Sequence, residues 1–183
     1  MIYVTLYYGL RKSEVLGLRW SAIDFEKNTM TLNHTVVKIK RGSLAKDTMK
    51  TSSSYRTYEL IEDVRNVLLE LRERQSVNKM LLGSEYEDND YIFKCENGKL
   101  FRPDTVTRTV ERHLREKGME QITYHSLRHS TASILYDMGW DIMDIKHWLR
   151  HSSIDVTADI YTHISQKRKA SLSKKLAGTF DLL

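Results

Sequence analysis

The chain has 183 residues, enough for one domain with a core of its own. Its formal charge of +5 favours a polyanionic partner, a weak preference that many basic domains share. The single cysteine, Cys95, excludes an internal disulfide framework and suits a reducing cytoplasm, and no apolar run approaches the ~18 residues of a membrane-spanning helix.

Taken in order, Met1 to Tyr8 reads as the tail of a helix begun upstream, closed by Gly9 as C-cap. Ser13 or a neighbour opens the next helix. Glu14 sits in its first turn, near the positive dipole end, and Val15, Leu16 and Leu18 face a core. Ile23 to Lys27 turns into a strand over Thr29 to Val37, which alternates and is β-branched. Residues 38–50 are basic and polar and read as a long hairpin connection. The second strand runs from about Tyr55 to Leu60. Glu62 to Val77 is an amphipathic helix with Val64, Val67, Leu68 and Leu71 as its apolar stripe. Glu85 to Asp90 is an acidic surface loop. Tyr91 to Phe93 is a short strand closed by a turn at Asn97-Gly98. Pro103-Asp104 starts a helix that ends at Gly118, with Arg108, Arg112 and Arg115 as candidate phosphate contacts. Further helices are expected over Tyr124 to Met138, Asp141 to Leu149 and Ile154 to Tyr161. A short basic one follows between Ser165 and Leu176. The fold class expected is α+β and mainly helical, with a small antiparallel sheet of about three strands at the edge of a helical core.

The chemistry concentrates between Thr123 and His163. In a helix His125 and Arg128, three apart, share a face. Leu149-Arg150-His151-Ser152-Ser153 brings another imidazole, and Asp159-Ile160-Tyr161-Thr162-His163 a phenol. A guanidinium, two imidazoles and a phenol can hold a phosphate and attack it. Alone, such a Tyr is usually a packing residue and such a His a satisfied polar one. The rival chemistry is zinc, because His125/His129 and His147/His151 have i, i+4 spacing. Neither pair encloses a Glu, only one Cys is present, and Arg128 inside the first pair would repel a cation.

The order of the motifs says more than any one of them. H-x-L-R-H, then L-x-H-S-S-I, then T-x-x-I-Y-T-H resembles the tyrosine recombinases, the phage-type integrases. Gly9-Leu10-Arg11-Lys12-Ser13-Glu14-Val15-Leu16-Gly17-Leu18-Arg19-Trp20 closely resembles the segment holding that family's first active-site Arg. Met49 to Thr57 is similar to its K-T-x-S-S-x-R-T hairpin. The resemblance implies a site-specific DNA recombinase or integrase of a mobile element. Tyr161 would be the nucleophile, forming a 3′-phosphotyrosyl bond. Arg11 and Arg128 would clamp the phosphate, and Lys50 would be general acid. His125 would assist proton transfer, and His151 would donate a hydrogen bond to the phosphate. Lys46 competes with Lys50, since hairpin register is open. The bond energy stays in the covalent intermediate, so neither metal nor ATP nor another cofactor is implied.

The resemblance covers nearly the whole chain but only one of the family's domains. Residues 1–183 are therefore expected to be a single catalytic domain, a fragment without the preceding core-binding domain and the start of the catalytic domain. The partner implied is double-stranded DNA, bound as a homo-tetramer through residues 165–177, with a monomer open for the fragment. A bacterial cytoplasm is implied, and no membrane. One departure stands out: Arg150 occupies the place of the family's usual Gly, and exchange for Gly is expected to change turnover modestly. The alternative function is a DNA-binding domain on the same scaffold that has lost catalysis.

Overall fold

Helix α1 (Ile2–Tyr8) ends as its sequence predicts, at Gly9, whose φ of 59° is a left-handed conformation that glycine adopts without a Cβ penalty. The computed structural model describes residues 1–39, 42–46, 56–120 and 122–150. The chain divides into two compact units, Met1–Arg128 and His129–Leu183.

In the first unit the bend at Gly9 leads into α2 (Lys12–Leu16), which starts one residue before Ser13. Val15, Leu16 and Leu18 are buried, as the apolar pattern requires. Gly17 marks a close approach to the extended chain at His34-Thr35: a Cβ there would overlap the His34 carbonyl oxygen and lie 2.7 Å from Thr35 Cα. Both neighbours are backbone and cannot swing away. Gly17→Ala is therefore expected to destabilise the fold by about 2–3 kcal/mol, measured by urea denaturation.

The sheet is antiparallel, in the order β1 (Ile23–Asp24), β2 (Thr29–Leu32), β5 (Arg56–Glu59), with Met30 opposite Tyr58 and Leu32 opposite Arg56. The expected strand over Thr29 to Val37 is broken at Asn33-His34, and the chain resumes as β3 (Thr35–Ile39). His34 is the reason. Its buried ring lies 2.9 Å from both Arg19 Nη2 and Tyr91 Oη. Those polar partners hold it out of the sheet, so the chain leaves β2 and pairs elsewhere. The partner is β4 (Gly42–Lys46), antiparallel from Thr35 opposite Lys46 to Ile39 opposite Gly42. A second, two-stranded sheet thus replaces part of the expected loop. Charged composition hid it, because ladder hydrogen bonds come from main chain whatever the side chains carry.

Within Tyr91 to Phe93 a single isolated bridge, Tyr91 with Arg19, stands in place of a strand: Ile92 N–H donates to Leu18 O at 3.0 Å and Trp20 N–H to Asp90 O at 2.8 Å. Helix α3 (Glu62–Leu82) runs past its expected end at Val77. Its apolar stripe stops near Leu71, but Gln75 continues the inward face by polar means. Gln75 accepts from Trp20 Nε1 at 3.0 Å and donates to Ile92 O at 2.6 Å. Helix α4 (Pro103–Glu116) has Pro in its first turn and buries Val106, Val110 and Leu114 at i, i+4 spacing. These pack with Leu16, Val36, and Tyr124 and Leu127 of α5 (Tyr124–Asp137). That cluster is the core beneath the candidate site.

In the second unit Ala132 and Leu135 of α5 pack with Ile145 and Leu149 of α6 (Ile142–Leu149), and the Trp140 and Trp148 rings meet edge to face at 5.5 Å. Asp141 caps α6, accepting the Met143 N–H at 2.7 Å. At the other end Arg150 is left-handed, with φ and ψ both 54°. That is the helix-terminating position where glycine is favoured. The departure noted in the sequence therefore has a backbone meaning: a side chain there carries strain of about 1 kcal/mol. Arg150→Gly is expected to raise thermal stability by up to about that amount. An unchanged or lowered melting temperature would show that contacts of the Arg150 side chain outweigh the strain.

The helices expected over Ile154 to Tyr161 and Ser165 to Leu176 lie outside the described residues. Among the described residues no helix is long and apolar enough to cross a membrane.

Candidate functional site

The site is built from the bend at Gly9, the start of α2, strand β5 and the first turns of α5, all within Met1–Arg128. Arg11 is the residue before the first turn of α2. Glu14 folds back on it: Oε2 accepts the Arg11 main-chain N–H at 2.8 Å and Oε1 accepts Arg11 Nη1 at 3.2 Å. Glu14 is buried, and so is Arg56 of β5, whose Nη2 donates to the same Oε1. The carboxylate thus anchors one cation inside the fold and another at its surface, since the Arg11 side chain is 46% exposed and that of Arg56 only 7%.

Arg128 arrives from α5. Only 3% exposed, it donates through Nη1 to the carbonyl of Gly9, at the bend that delivers Arg11. The start of α5 is pinned by a buried hydrogen bond, 2.9 Å, between Tyr124 Oη and Thr5 Oγ1, and burial pushes the Tyr124 phenol up to about 12. Burial, and next the field of Arg11, pulls the Arg128 guanidinium down to about 10. It therefore remains a cation at neutral pH. Arg56 adds to that field and Glu14 opposes it. Three guanidiniums gather around one carboxylate, and the excess of positive charge suits an anion.

Arg11, His125 and Arg128 open onto one cleft of about 510 Å³, lined also by Lys12, Val36 and Val37. Lys12 Nζ reaches across it to Thr107 Oγ1 of α4 at 2.7 Å. Of the predicted site residues, the fold brings these three together although Arg11 and Arg128 are more than a hundred positions apart. His125 is exposed, one turn before the buried Arg128 on the same face. Lys50, His151 and Tyr161 lie outside the described residues. The main chain of Lys46, the rival to Lys50, pairs with Thr35, next to the cleft-lining Val36. Sequence reasoning missed Arg56. The available signal was an arginine on the inward face of a strand, in register with Tyr58, where a charge is kept only if paired. Among the described residues no group of three or more His, Cys, Asp or Glu could hold a metal ion.

A cleft lined by arginines distant in sequence thus sits on a helical fold with small antiparallel sheets. Residues 1–168 match the phage integrase family, and the chain belongs to it. It is 31% identical over 183 residues to a "Tyrosine recombinase XerC-like" protein of Caldanaerobacter subterraneus subsp. tengcongensis, covering 94% of this chain and 47% of that protein. It is 28% identical to the ICEBs1 integrase of Bacillus subtilis, covering 94% of this chain and 46% of that one. The chain thus spans about half the length of the curated relatives it matches. In fold it is similar to the Tn1549 transposon integrase in complex with transposon right end DNA, with a TM-score of 0.75, 20% identity, and coverage of 97% of this chain and 58% of that one.

Proposed function

We propose that this chain is the catalytic part of a site-specific DNA recombinase that cuts and rejoins strands through a tyrosine. The observation that carries the reading is the opening of Arg11, Arg128 and His125 onto one cleft with an excess of positive charge. Guanidinium is always charged and forks onto phosphate oxygens, so the two arginines would hold the scissile phosphodiester and its developing charge. The Tyr161 oxygen attacks phosphorus, the bond to the 5′-oxygen breaks, and a 3′-phosphotyrosyl link remains. Lys50 protonates the leaving 5′-oxygen, His125 assists proton transfer, and His151 donates to a non-bridging oxygen. The reverse attack by a 5′-hydroxyl rejoins the strand, so the cycle runs without ATP or metal.

The fold likeness to an integrase solved on transposon DNA supports duplex DNA as the partner. Arg108, Arg112 and Arg115 are exposed on α4, beside the face that carries Thr107 and Glu111 into the cleft, and would add phosphate contacts. Assembly as a tetramer through residues 165–177 on DNA in a bacterial cytoplasm completes the proposal.

The test is incubation of the chain with a pool of nicked, random-sequence duplex DNA, followed by denaturing electrophoresis. A covalent protein–DNA adduct blocked at the 3′ end and leaving a free 5′-hydroxyl is expected. Retained DNA binding with no adduct would favour the alternative, a DNA-binding domain that has lost catalysis.

A further inference from the structure

Glu14 Oε1 carries two guanidiniums of different standing. Arg56 is buried, fixed on β5 by its register with Leu32, and its guanidinium lies 5.8 Å from the Tyr58 ring centroid. It has no other carboxylate to turn to among the described residues' ion pairs. Arg11 holds the same oxygen at 3.2 Å, and its side chain is half exposed at the cleft. Two cations on one oxygen compete, and the outer one is the cheaper to divert. If Arg56 were absent, buried Glu14 would have Arg11 as its remaining ion-pair partner among the described residues. A buried carboxylate left with one partner holds that partner strongly, because releasing it leaves an uncompensated charge. Nη1 of Arg56 is also buried without a hydrogen-bond partner among the described residues.

We propose that Arg56 is a positioning residue of the anion site: by neutralising Glu14 from inside, it lets the Arg11 guanidinium turn to a phosphate in the cleft. This rests on the strand-transfer reading above. Glu14 then has two separable tasks. Through Oε2 it fixes the backbone at the start of α2, and through Oε1 it sets how tightly Arg11 is withheld from substrate.

The experiment is a double-mutant cycle on the whole chain. It reads the rate of covalent adduct formation at saturating nicked, random-sequence duplex DNA, with melting temperature as the check on folding. Arg56→Met is expected to slow the adduct about 100-fold, while Arg56→Lys, which keeps the inner cation, stays within about fivefold of the unaltered chain. Adding Glu14→Gln to Arg56→Met removes the charge that captures Arg11. The double variant should then match Glu14→Gln within about threefold and exceed Arg56→Met by about tenfold or more. A merely structural Arg56 would change melting temperature without this recovery of rate at saturating DNA. Should Arg56→Met not fold, the comparison of the double variant with Glu14→Gln still decides. A folded Arg56→Met with undiminished rate, or a double variant far slower than Glu14→Gln, overturns the role of Arg56. Absence of any adduct from the unaltered chain overturns the strand-transfer reading itself, and the role of Arg56 with it.

Discussion

Tyr161→Phe is expected to abolish the covalent adduct, a loss of at least about 10⁴-fold, while DNA affinity stays within about twofold. Phenylalanine keeps the ring and removes one oxygen, so any packing of the side chain is retained. In the proposed chemistry that oxygen forms the new bond to phosphorus, and water cannot replace it and still leave protein joined to DNA. Binding, by contrast, comes from cations on many phosphates, and one neutral phenol contributes little to it. Denaturing electrophoresis with 5′-labelled strand reads the adduct, and a filter or gel-shift titration reads affinity. An adduct that persists in the variant would assign the nucleophile to another residue.

Arg128→Lys is expected to lower the rate of adduct formation by about 10²–10³-fold although the formal charge is unchanged. Arg128 does two things at once. One nitrogen donates to the Gly9 carbonyl, and the side chain lines the cleft that Arg11 and His125 also line. Lysine offers one nitrogen on a flexible stem, so holding Gly9 and forking onto a phosphate become alternatives. Arg128 itself is shielded from water, only 3% exposed. Burial, and next the field of Arg11, lowers the Arg128 guanidinium to about 10, so keeping it charged has a cost. The sign is unfavourable at every pH below about 10. The folded state binds that proton less tightly than the unfolded one, and stability recovers only as pH rises above about 10. A lysine in the same place starts with a lower pKa and loses its charge more readily. Stability should fall by about 1–3 kcal/mol as the Gly9 carbonyl loses a charged donor. Parallel urea denaturation separates the two effects, since a variant that folds fully and still cleaves within about threefold of the original rate would remove Arg128 from the phosphate site.

Local signals in the sequence were enough for most helices. Gly9 and Gly118 mark helix ends, Pro103 opens α4, and Asp141 caps α6, because each acts through the conformation or hydrogen bonds of a few adjacent residues. The same holds for His125 and Arg128, whose common face follows from helical periodicity. The linear motifs also placed the chain in its family and singled out Arg11 as partner to Arg128. Tertiary structure decided what depends on distant partners. The strand expected over Thr29 to Val37 breaks at His34 because Arg19 and Tyr91 meet the ring there, and neither is visible in the local β-pattern. Helix α3 outlasts its apolar stripe because Gln75 finds Trp20 and Ile92. Arg56 was legible in the sequence only as a residue of the second strand. Only the pairing of β5 with β2, and the buried carboxylate of Glu14 beneath it, turn it inward. Sequence determined which groups carry charge, and folding determined which of those charges lose their water and share one oxygen.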